Sequence, residues 1–492
     1  MTASMLEKAS PPARHRPRPL AAVLAAVGIP IFMVTLDNLV VTTALPVIKE
    51  DLGSSLTDLQ WFVNAYTLPF AAFLLTAAAL GDRLGRRRLF IAGIALFTLA
   101  SAAAGLATES WQLTAARAVQ GLAGAAVAPL SLTLLAQAVP DRLRNAAVGI
   151  WGGISGLGVA VGPVVGGAVV EGLDWHWIFW LNVPVGVIAV VLAATVLRES
   201  RGGAVRLDPL GLVLAAGGML SLVWGVVDGP DYGWSSGRVL TKLIGGAVLL
   251  TAFIAWQRRN RTPMLPLTLF RSRGFSLVNI VTLTFAAGAF GSVFLLAQFF
   301  QVVQGLSPLD AGIRTLPWTM APMVVAPLAG IFADRIGLRT LIIAGQVFLA
   351  AGVLWIAVAT STDVAYRDLV IAFVLAGVGM GLTFAPVSTM ALGSVSARER
   401  GVASGANNTI RELGVAVGVA VLASVFSSYG AYTSHAAFVD GLRPAVMVGA
   451  AIIAVGAVVA FWLPRRPEHA VTEADAVIEA DAAGAVIGTG AA

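Results

Sequence analysis

Long apolar runs, separated by short polar loops, recur along almost the whole chain. Many contain 20 residues or more, and a helix that rises 1.5 Å per residue needs about 20 residues to cross the hydrocarbon of a membrane. Strands of a membrane barrel would instead alternate apolar and polar positions over about ten residues. The pattern therefore predicts an all-α membrane protein with fourteen transmembrane helices, at residues 20–46, 58–79, 88–107, 111–138, 146–170, 177–198, 208–228, 238–256, 275–302, 310–332, 339–360, 368–392, 400–426 and 441–463.

Composition agrees with this interpretation. Of 492 residues, 58% are hydrophobic and 12% are charged, and the mean hydropathy is +0.85. A water-soluble core cannot hide that much apolar surface, so the lipid bilayer is an expected partner. Cysteine is absent, which excludes disulfide and thiol chemistry.

The net charge of +6 reflects basic loops rather than a nucleic-acid surface. If the N-terminus is cytoplasmic, inner loops and tails hold 24 Lys and Arg residues and outer loops hold 5. Cytoplasmic loops of membrane proteins carry such an excess. We therefore expect a multi-pass protein of the bacterial cytoplasmic membrane with both termini inside.

An internal repeat divides the chain into two related halves. The hexapeptide LGVAVG occurs at 157–162 and again at 413–418, and LGDRLGRRRLFIAG (80–93) is echoed by FADRIGLRTLIIAG (332–345). Such repeats predict two six-helix bundles that rock around a site near the membrane midplane. The expected domains are a cytoplasmic segment (1–19), an N-terminal bundle (20–200), two inserted helices (201–262), a C-terminal bundle (263–463) and a disordered cytoplasmic tail (464–492).

Five motifs lie in the first half, in LDNLVVTTALP (36–46), GDRLGRRR (81–88), RAVQG (117–121), GLGVAVGPVVGG (156–167) and WHWIFWLNVPVG (175–186). Over about residues 20–463 the chain resembles the major facilitator superfamily, and within it the fourteen-segment drug:proton antiporter-2 family. It departs from the usual motifs at Ala78, where glycine is common, and at His176, where arginine is common. The resemblance implies a monomeric antiporter that binds protons and a small-molecule substrate and needs no cofactor beyond the proton gradient.

Asp37 is the carboxylate most clearly embedded in an apolar run. Ionisable residues inside a membrane are costly and mark proton or substrate paths. The resemblance also implicates Asp37 in proton coupling; a structural partner for Arg117 is the other interpretation. Arg117 lies at a compatible depth, where it could modulate Asp37 as the bundle rocks or reach the interface by snorkelling.

Glu412 lies about 18 Å into the thirteenth helix at 1.5 Å per residue, near the membrane midplane. It aligns with Gly156 of the first repeat, so its charge breaks the symmetry of the halves. We expect Glu412 to bind a substrate cation or a second proton. A salt bridge to Arg314 or Arg411 is the structural alternative.

Polar and aromatic side chains cluster near the outer ends of the second and ninth helices. They could face a cavity that accepts an amphipathic ligand, or anchor the helices at the interface. The residues assigned to substrate binding, together with Glu412, are Asn64, Tyr66, Gln298 and Gln301.

A further set of residues is expected to act in gating and conformational change. Pro163 removes a helix hydrogen bond and its neighbouring glycines permit bending and close packing. By resemblance, Asp82 would hold the cytoplasmic side closed through Arg142, Arg144 or a helix N-terminus. The complete set is Asp82, Arg83, Gly85, Arg86, Gly162, Pro163, Gly166, Gly167, Asp334 and Arg335.

The missing motifs narrow the function. No lysine follows a glycine as in a phosphate-binding GxxxxGK[ST] loop, and the four histidines lack paired metal-ligand spacing. An ATP-driven pump with its own nucleotide domain, a metalloprotease and an enzyme in general are therefore not expected. The sequence predicts a proton-coupled exporter of hydrophobic or amphipathic, often cationic, drugs or antibiotics. The alternatives are a dedicated exporter of one endogenous metabolite or antibiotic, and a non-transporting channel, scaffold or sensor.

Overall fold

The computed structural model describes residues 19–201, 207–396 and 399–465, except for some side chains within 141–149 and that of Asp334. The expected cytoplasmic N-terminal segment and disordered tail lie almost wholly outside these residues. Within them, the fourteen predicted membrane-spanning helices are all present. They are α1 (Leu20–Asp51), α2 (Leu56–Leu84), α3 (Arg86–Ala104), α4 (Ser110–Ala138), α5 (Asp141–Gly172), α6 (Trp177–Val196), α7 (Pro209–Tyr232), α8 (Gly237–Arg259), α9 (Arg273–Val302), α10 (Pro308–Ile336), α11 (Leu338–Ala359), α12 (Tyr366–Gly393), α13 (Arg400–Tyr429) and α14 (His435–Ala460).

The helices extend beyond the apolar runs that predicted them, because polar residues cap their ends. Ser55 caps α2 in a capping box with Asp58, and Ser434 starts α14 at His435, six residues before its predicted start at 441. In α6 the helix is interrupted at Leu181, between Trp177–Trp180 and Asn182–Val196. Pro184 explains the interruption, since it has no N–H to donate to the carbonyl of Trp180.

Because fourteen spans alternate in direction, α1 begins and α14 ends at the same end of the bundle. This end is named the terminal end, and the opposite end is named the far end.

The two LGVAVG copies occupy equivalent places. Gly162 of α5 packs on α1, where an added Cβ would lie 2.9 Å from that of Leu39, and Gly418 of α13 packs on the backbone of Ala287 in α9. The repeated hexapeptide therefore preserves a small-residue surface against the first helix of each half.

Two seams join the halves. At one seam α2 packs against α13, with Leu68 beside Ala416 and Ala420. At the other seam α5 packs against α10, where Thr319 donates a hydrogen bond to the Ala160 carbonyl at 3.0 Å. Relative movement of the halves must therefore change the packing of both helix pairs.

The inserted helices α7 and α8 form a hairpin at the α2–α13 seam. The apolar side chains of Met219 and Val223 in α7 belong to the same buried cluster as Leu68 and Ala416. Trp61 of α2 meets Trp224 edge to face, with ring centroids 5.7 Å apart. The α7 helix thus contacts both halves, and the α8 helix covers it on the outside with most of its surface exposed. Of the two inserted helices, α8 is the peripheral one.

Candidate functional site

A buried ion pair lies inside the N-terminal half. Arg117 of α4 donates through Nη1 to Oδ2 of Asp37 in α1, and both side chains are 1% exposed. The Arg117 Nε also donates to the Phe62 carbonyl at 3.1 Å. The structure thus brings together the two residues expected at matching depth, and the burial of Arg117 contradicts the snorkelling alternative. A buried charge pair of this kind is stable only when further hydrogen bonds satisfy it.

Three polar residues complete the surroundings of Asp37. Its Oδ1 accepts hydrogen bonds from Nδ2 of Asn182 at 2.8 Å and from Nε2 of Gln120 at 3.2 Å. Ser101 accepts from Gln120 at 2.8 Å. The sequence did not assign these residues to the site, although Gln120 lies in the motif RAVQG and Asn182 lies in the motif WHWIFWLNVPVG. Uncharged polar residues in transmembrane helices are common as packing groups, and only the fold places these three beside one carboxylate.

Tyr66 of α2 forms one wall of this cluster. The Arg117 guanidinium lies 4.3 Å from the centroid of the Tyr66 ring, and the hydroxyl donates to the Val34 carbonyl at 3.2 Å. The absence of side chains at Gly121 and Gly124 makes room for the Tyr66 backbone and ring hydroxyl. A cation over an aromatic face is held in place by the ring quadrupole, so Tyr66 orients Arg117 toward Asp37.

Glu412 is buried on the face of α13 that meets α2. One turn before it Thr409 donates to the Ala71 carbonyl at 3.2 Å, and one turn after it Ala416 packs beside Leu68. Its carboxylate accepts from Arg411 at 2.9 Å. The structure thus shows the Arg411 pair of the structural alternative, whereas Arg314 donates to Gln304 at 3.0 Å.

Asn64, predicted to bind substrate, is fully buried in α2. Neither its amide oxygen nor its amide nitrogen has a partner within the described residues, and the same holds for the Gln60 oxygen one turn earlier. An unpartnered buried polar group costs about 1–3 kcal/mol. Groups of this kind are available to a ligand or to another conformation of the seam.

Gln298 and Gln301, also predicted to bind substrate, lie at the far end of α9. Gln298 is fully buried, donates to the Phe294 carbonyl at 2.9 Å and accepts from the Tyr432 hydroxyl. Gln301 donates to the Thr43 carbonyl of the other half at 2.7 Å. The structure therefore places both glutamines in the contacts of the far end, and their role toward substrate stays a prediction.

The loop between α2 and α3 carries the expected gating motif. Asp82 pairs with Arg86 at 2.6 Å, Arg83 is exposed, and Gly85 adopts a φ of 116° that favours glycine. Glu199 accepts from the backbone N–H groups of residues 87 and 88 at 3.1 and 3.2 Å, and so caps α3. This cap was not predicted, because the two segments are more than 100 residues apart. The side chains of the expected partners Arg142 and Arg144 lie outside the described residues, as does that of Asp334; Arg335 is exposed.

The α5–α10 seam is tight at the far end. Gly167 lies against the backbone of Pro308, and Gly312 lies against that of Pro163, so neither position has room for a side chain. Gly166 packs on α1 in the same way, because a Cβ added at Gly166 would lie 2.7 Å from the carbonyl oxygen of Val40. In contrast, side chains added at Gly152, Gly153, Gly156 or Gly330 would meet no atom within 4 Å.

A cavity remains between the halves near the far end, lined by Thr42, Pro163, Ala311 and Trp318 among others. Its volume is about 10 Å³, close to the minimum for one water molecule. This cavity is therefore too small for a drug-sized compound.

The comparisons with known proteins agree with this geometry. The model of the Major Facilitator Superfamily matches residues 27–419 and 315–483. The multidrug resistance protein Stp of Mycobacterium tuberculosis is 37% identical over 408 residues, covering 82% of this chain and 76% of the relative. The tetracenomycin C resistance and export protein of Streptomyces glaucescens is 35% identical, covering 84% and 77%. The multidrug efflux pump LfrA of Mycolicibacterium smegmatis is 34% identical, covering 92% and 90%.

Solved structures share the fold. A bacterial homologue of the human lysosomal transporter Spinster, in an inward-facing and unoccupied conformation, superposes with a TM-score of 0.65 at 16% identity, covering 90% of this chain and 96% of that one. A D-xylose-proton symporter superposes with a TM-score of 0.64 at 15% identity, covering 91% and 98%. At this identity the likeness concerns the fold alone.

Proposed function

Because this chain belongs to the major facilitator superfamily, we propose that it exports hydrophobic or amphipathic compounds in exchange for protons by alternating access. The observation that carries the proposal is the Asp37–Arg117 pair, whose two side chains are both buried inside the N-terminal half. Fourteen spans, as in the drug:proton antiporter-2 family, and the similarity to multidrug and antibiotic exporters support it.

Asp37 is the proton-coupling carboxylate in this proposal. Arg117 stays charged at every physiological pH, so it stabilises the carboxylate and is released from it when Asp37 takes a proton. Loss of the attraction between Arg117 and Asp37 lets the packing inside the N-terminal half rearrange. In this proposal that rearrangement is coupled to the movement of one half against the other. Glu412 attracts a cationic substrate or a second proton from the α2–α13 seam, and the unpartnered Asn64 offers the substrate an amide.

Loop charge supports an inner-membrane location with both termini in the cytoplasm. With that orientation the far end is the outer one, so the described conformation is closed to the outside. Substrate then enters from the cytoplasm at the terminal end, where the glycines of α5 and α10 have open space beside them. We further propose that the protein acts as a monomer, driven by the proton gradient without a cofactor and without catalysing a reaction.

The test is proton-coupled exchange in proteoliposomes. A pH-sensitive dye inside vesicles should report saturable dissipation of an imposed proton gradient when a cationic drug is added to wild-type protein. Asp37→Asn should reduce this exchange at least tenfold, because the amide cannot bind and release the proton. Its polar shape should still allow insertion, which the yield of purified protein checks.

Glu109→Asn provides a matched control, since Glu109 is an exposed acid at the far end that, among the described residues, accepts a side-chain hydrogen bond from the nearby Trp111 at 2.6 Å. It should exchange as the wild type does. Wild-type exchange by Asp37→Asn would refute the coupling role. Drug movement without saturable proton counter-flow in the wild type would favour a channel.

A dedicated exporter of one endogenous antibiotic or metabolite is the second candidate. The similarity to a tetracenomycin C resistance and export protein favours it. Growth inhibition by a panel of dyes and antibiotics, with and without expression, separates the two. Protection against many unrelated cations indicates multidrug export, and protection against a single compound class indicates a dedicated exporter.

A further inference from the structure

We propose that Asn182 is a positioning residue that keeps Asp37 hydrogen-bonded in both of its protonation states by turning its side-chain amide. This inference rests on the proposed proton coupling and assigns a role to a residue that the coupling mechanism does not yet include. It follows from the different freedom of the three groups that donate to Asp37.

Arg117 cannot bond the proton that Asp37 would carry in its neutral form. Its guanidinium has donors and no acceptor, so it cannot accept a hydrogen bond from a protonated carboxyl group. Arg117 is also held by the Phe62 carbonyl and by the Tyr66 ring. When Asp37 binds a proton, the new O–H group therefore needs an acceptor elsewhere, because an unsatisfied buried hydroxyl is costly.

Gln120 is not free to become that acceptor. Its Oε1 accepts from Arg117 at 3.0 Å, and its Nε2 donates both to Ser101 at 2.8 Å and to Asp37. Turning this amide would place its nitrogen against the guanidinium, so that two donors would face each other. The Gln120 amide is thus fixed at both of its ends.

Asn182 is held at one end only. Its hydrogen bonds run from Nδ2, to Asp37 at 2.8 Å and to Ser101 at 3.4 Å, and its Oδ1 forms none within the described part of the chain. Half a turn about the last side-chain bond would bring Oδ1 to face Asp37 and accept its O–H. An amide carries both donors and an acceptor, so it can serve both protonation states.

The position of Asn182 in α6 favours this movement. It follows the interruption at Leu181, and α6 is anchored nearby, where Trp180 donates to the Gly105 carbonyl at 2.9 Å. The side chain can therefore turn without displacing the backbone. Within the described part of the chain, the charged or titratable groups in contact around Asp37 are Arg117 from α4 and Tyr66 from α2; α3 and α6 contribute Ser101 and Asn182.

The experiment measures the pH midpoint of substrate-driven proton exchange for two Asn182 variants. Asn182→Leu has a similar volume but neither donates nor accepts, and we expect its midpoint to move by about one pH unit toward alkaline pH, since charge-assisted bonds to the carboxylate are the stronger ones. Asn182→Asp keeps the shape and adds a like charge, so its shift should be larger. Proton uptake by purified protein in detergent gives the same midpoints if a variant no longer transports.

Asn279→Leu is the matched control, because Asn279 is also a buried amide but bonds Phe275 and Asn407 in the other half. Its midpoint should equal that of the wild type. Wild-type midpoints in both Asn182 variants, or an equal shift in the control, would overturn the proposal. Asp37→Asn separates the two levels: if it fails to exchange protons while the Asn182 variants behave as wild type, coupling by Asp37 stands and the role of Asn182 falls.

Discussion

At the scale of single residues, the two repeats have divided the charged chemistry between them. The positions equivalent to Arg117 and Gln120, 256 residues later, are Phe373 and Ala376, both buried and apolar. In the opposite sense Glu412 replaces Gly156. The ion pair therefore belongs to the N-terminal half alone, and the acid at the α2–α13 seam comes from the C-terminal half.

This division predicts a charge-selective effect at Glu412. Glu412→Gln should weaken the export of cationic substrates about tenfold and change that of neutral substrates little, because only cations gain from the carboxylate in a site of low dielectric. Initial rates of cationic and neutral fluorescent compounds in the same vesicles check this. An equal loss for both classes would indicate a structural role, in agreement with the Arg411 pair seen here.

At the scale of elements, polar contacts join the helices α7 and α8 to each other at both ends of their hairpin. Asp208 lies just before α7 and accepts from the Gly211 N–H at 2.9 Å, from Trp256 at 2.7 Å and from Gln257 at 2.7 Å. At the far end the buried carboxylate of Asp228 pairs with Arg238 at 2.9 Å and with Lys242. The hairpin is thus a rigid unit resting on a seam that must change shape during transport.

Asp208 offers a test of this anchoring. Burial raises the pKa of its carboxyl group, but the hydrogen bonds from Trp256, Gly211 and Gln257 outweigh burial and lower the pKa below its ordinary value. Asp208→Ala should lower the free energy of unfolding by about 1–3 kcal/mol near neutral pH, seen as a lower unfolding temperature of purified protein.

The pH dependence of that loss has a definite sign. A carboxyl group with a lowered pKa in the folded state stabilises it fully above the unfolded value, about 3.9 for Asp, and loses this contribution as the pH falls through the folded value. The difference between wild type and Asp208→Ala should therefore shrink below about pH 4. Asp231→Ala, which removes one exposed hydrogen bond to Thr57, should change the unfolding temperature little. A difference that persists unchanged in acid would argue against an ionised Asp208.

At the scale of the whole molecule, contacts at the far end hold the halves together in this conformation. Gln301 reaches the Thr43 carbonyl, the Leu309 N–H donates to Glu171 at 3.3 Å, and Lys49 lies 4.3 Å from the Tyr432 ring centroid. Alternating access requires all of them to break while the terminal end closes.

Cross-linking of introduced cysteines can test that requirement. The chain has no cysteine of its own, so a thiol reagent reacts with the introduced cysteines alone. A short thiol cross-linker between Glu171→Cys and Leu309→Cys should abolish transport, and reductive cleavage of the linker should restore it. The control pair is Ser54→Cys with Ser110→Cys. In the wild type the hydroxyl oxygens of Ser54 and Ser110 are 2.7 Å apart, at the same end of the bundle but within one half. Linking the second pair should leave transport intact. Full transport by the first cross-linked pair would exclude movement at this end.

The sequence by itself determined the fourteen helices, their duplication and the residues with charge at membrane depth. The helices and the charged positions depend on local composition, since a run of about 20 apolar residues must cross the bilayer and an ionisable group within it stands out. The duplication is visible as motifs that recur in the same order. The repeated LGVAVG also predicted a packing surface, which Gly162 and Gly418 provide in equivalent helices.

Only the tertiary structure decided which polar groups meet. Asp37, Ser101, Arg117 and Asn182 come from four helices, and Glu199 caps a helix that begins more than 100 residues earlier. The site of the inserted hairpin and the closure of the far end likewise depend on which helix faces are adjacent. Apolar helices in lipid have no strong hydrophobic preference for one neighbour, so their pairing follows from the fit of small residues and from hydrogen bonds across the whole bundle.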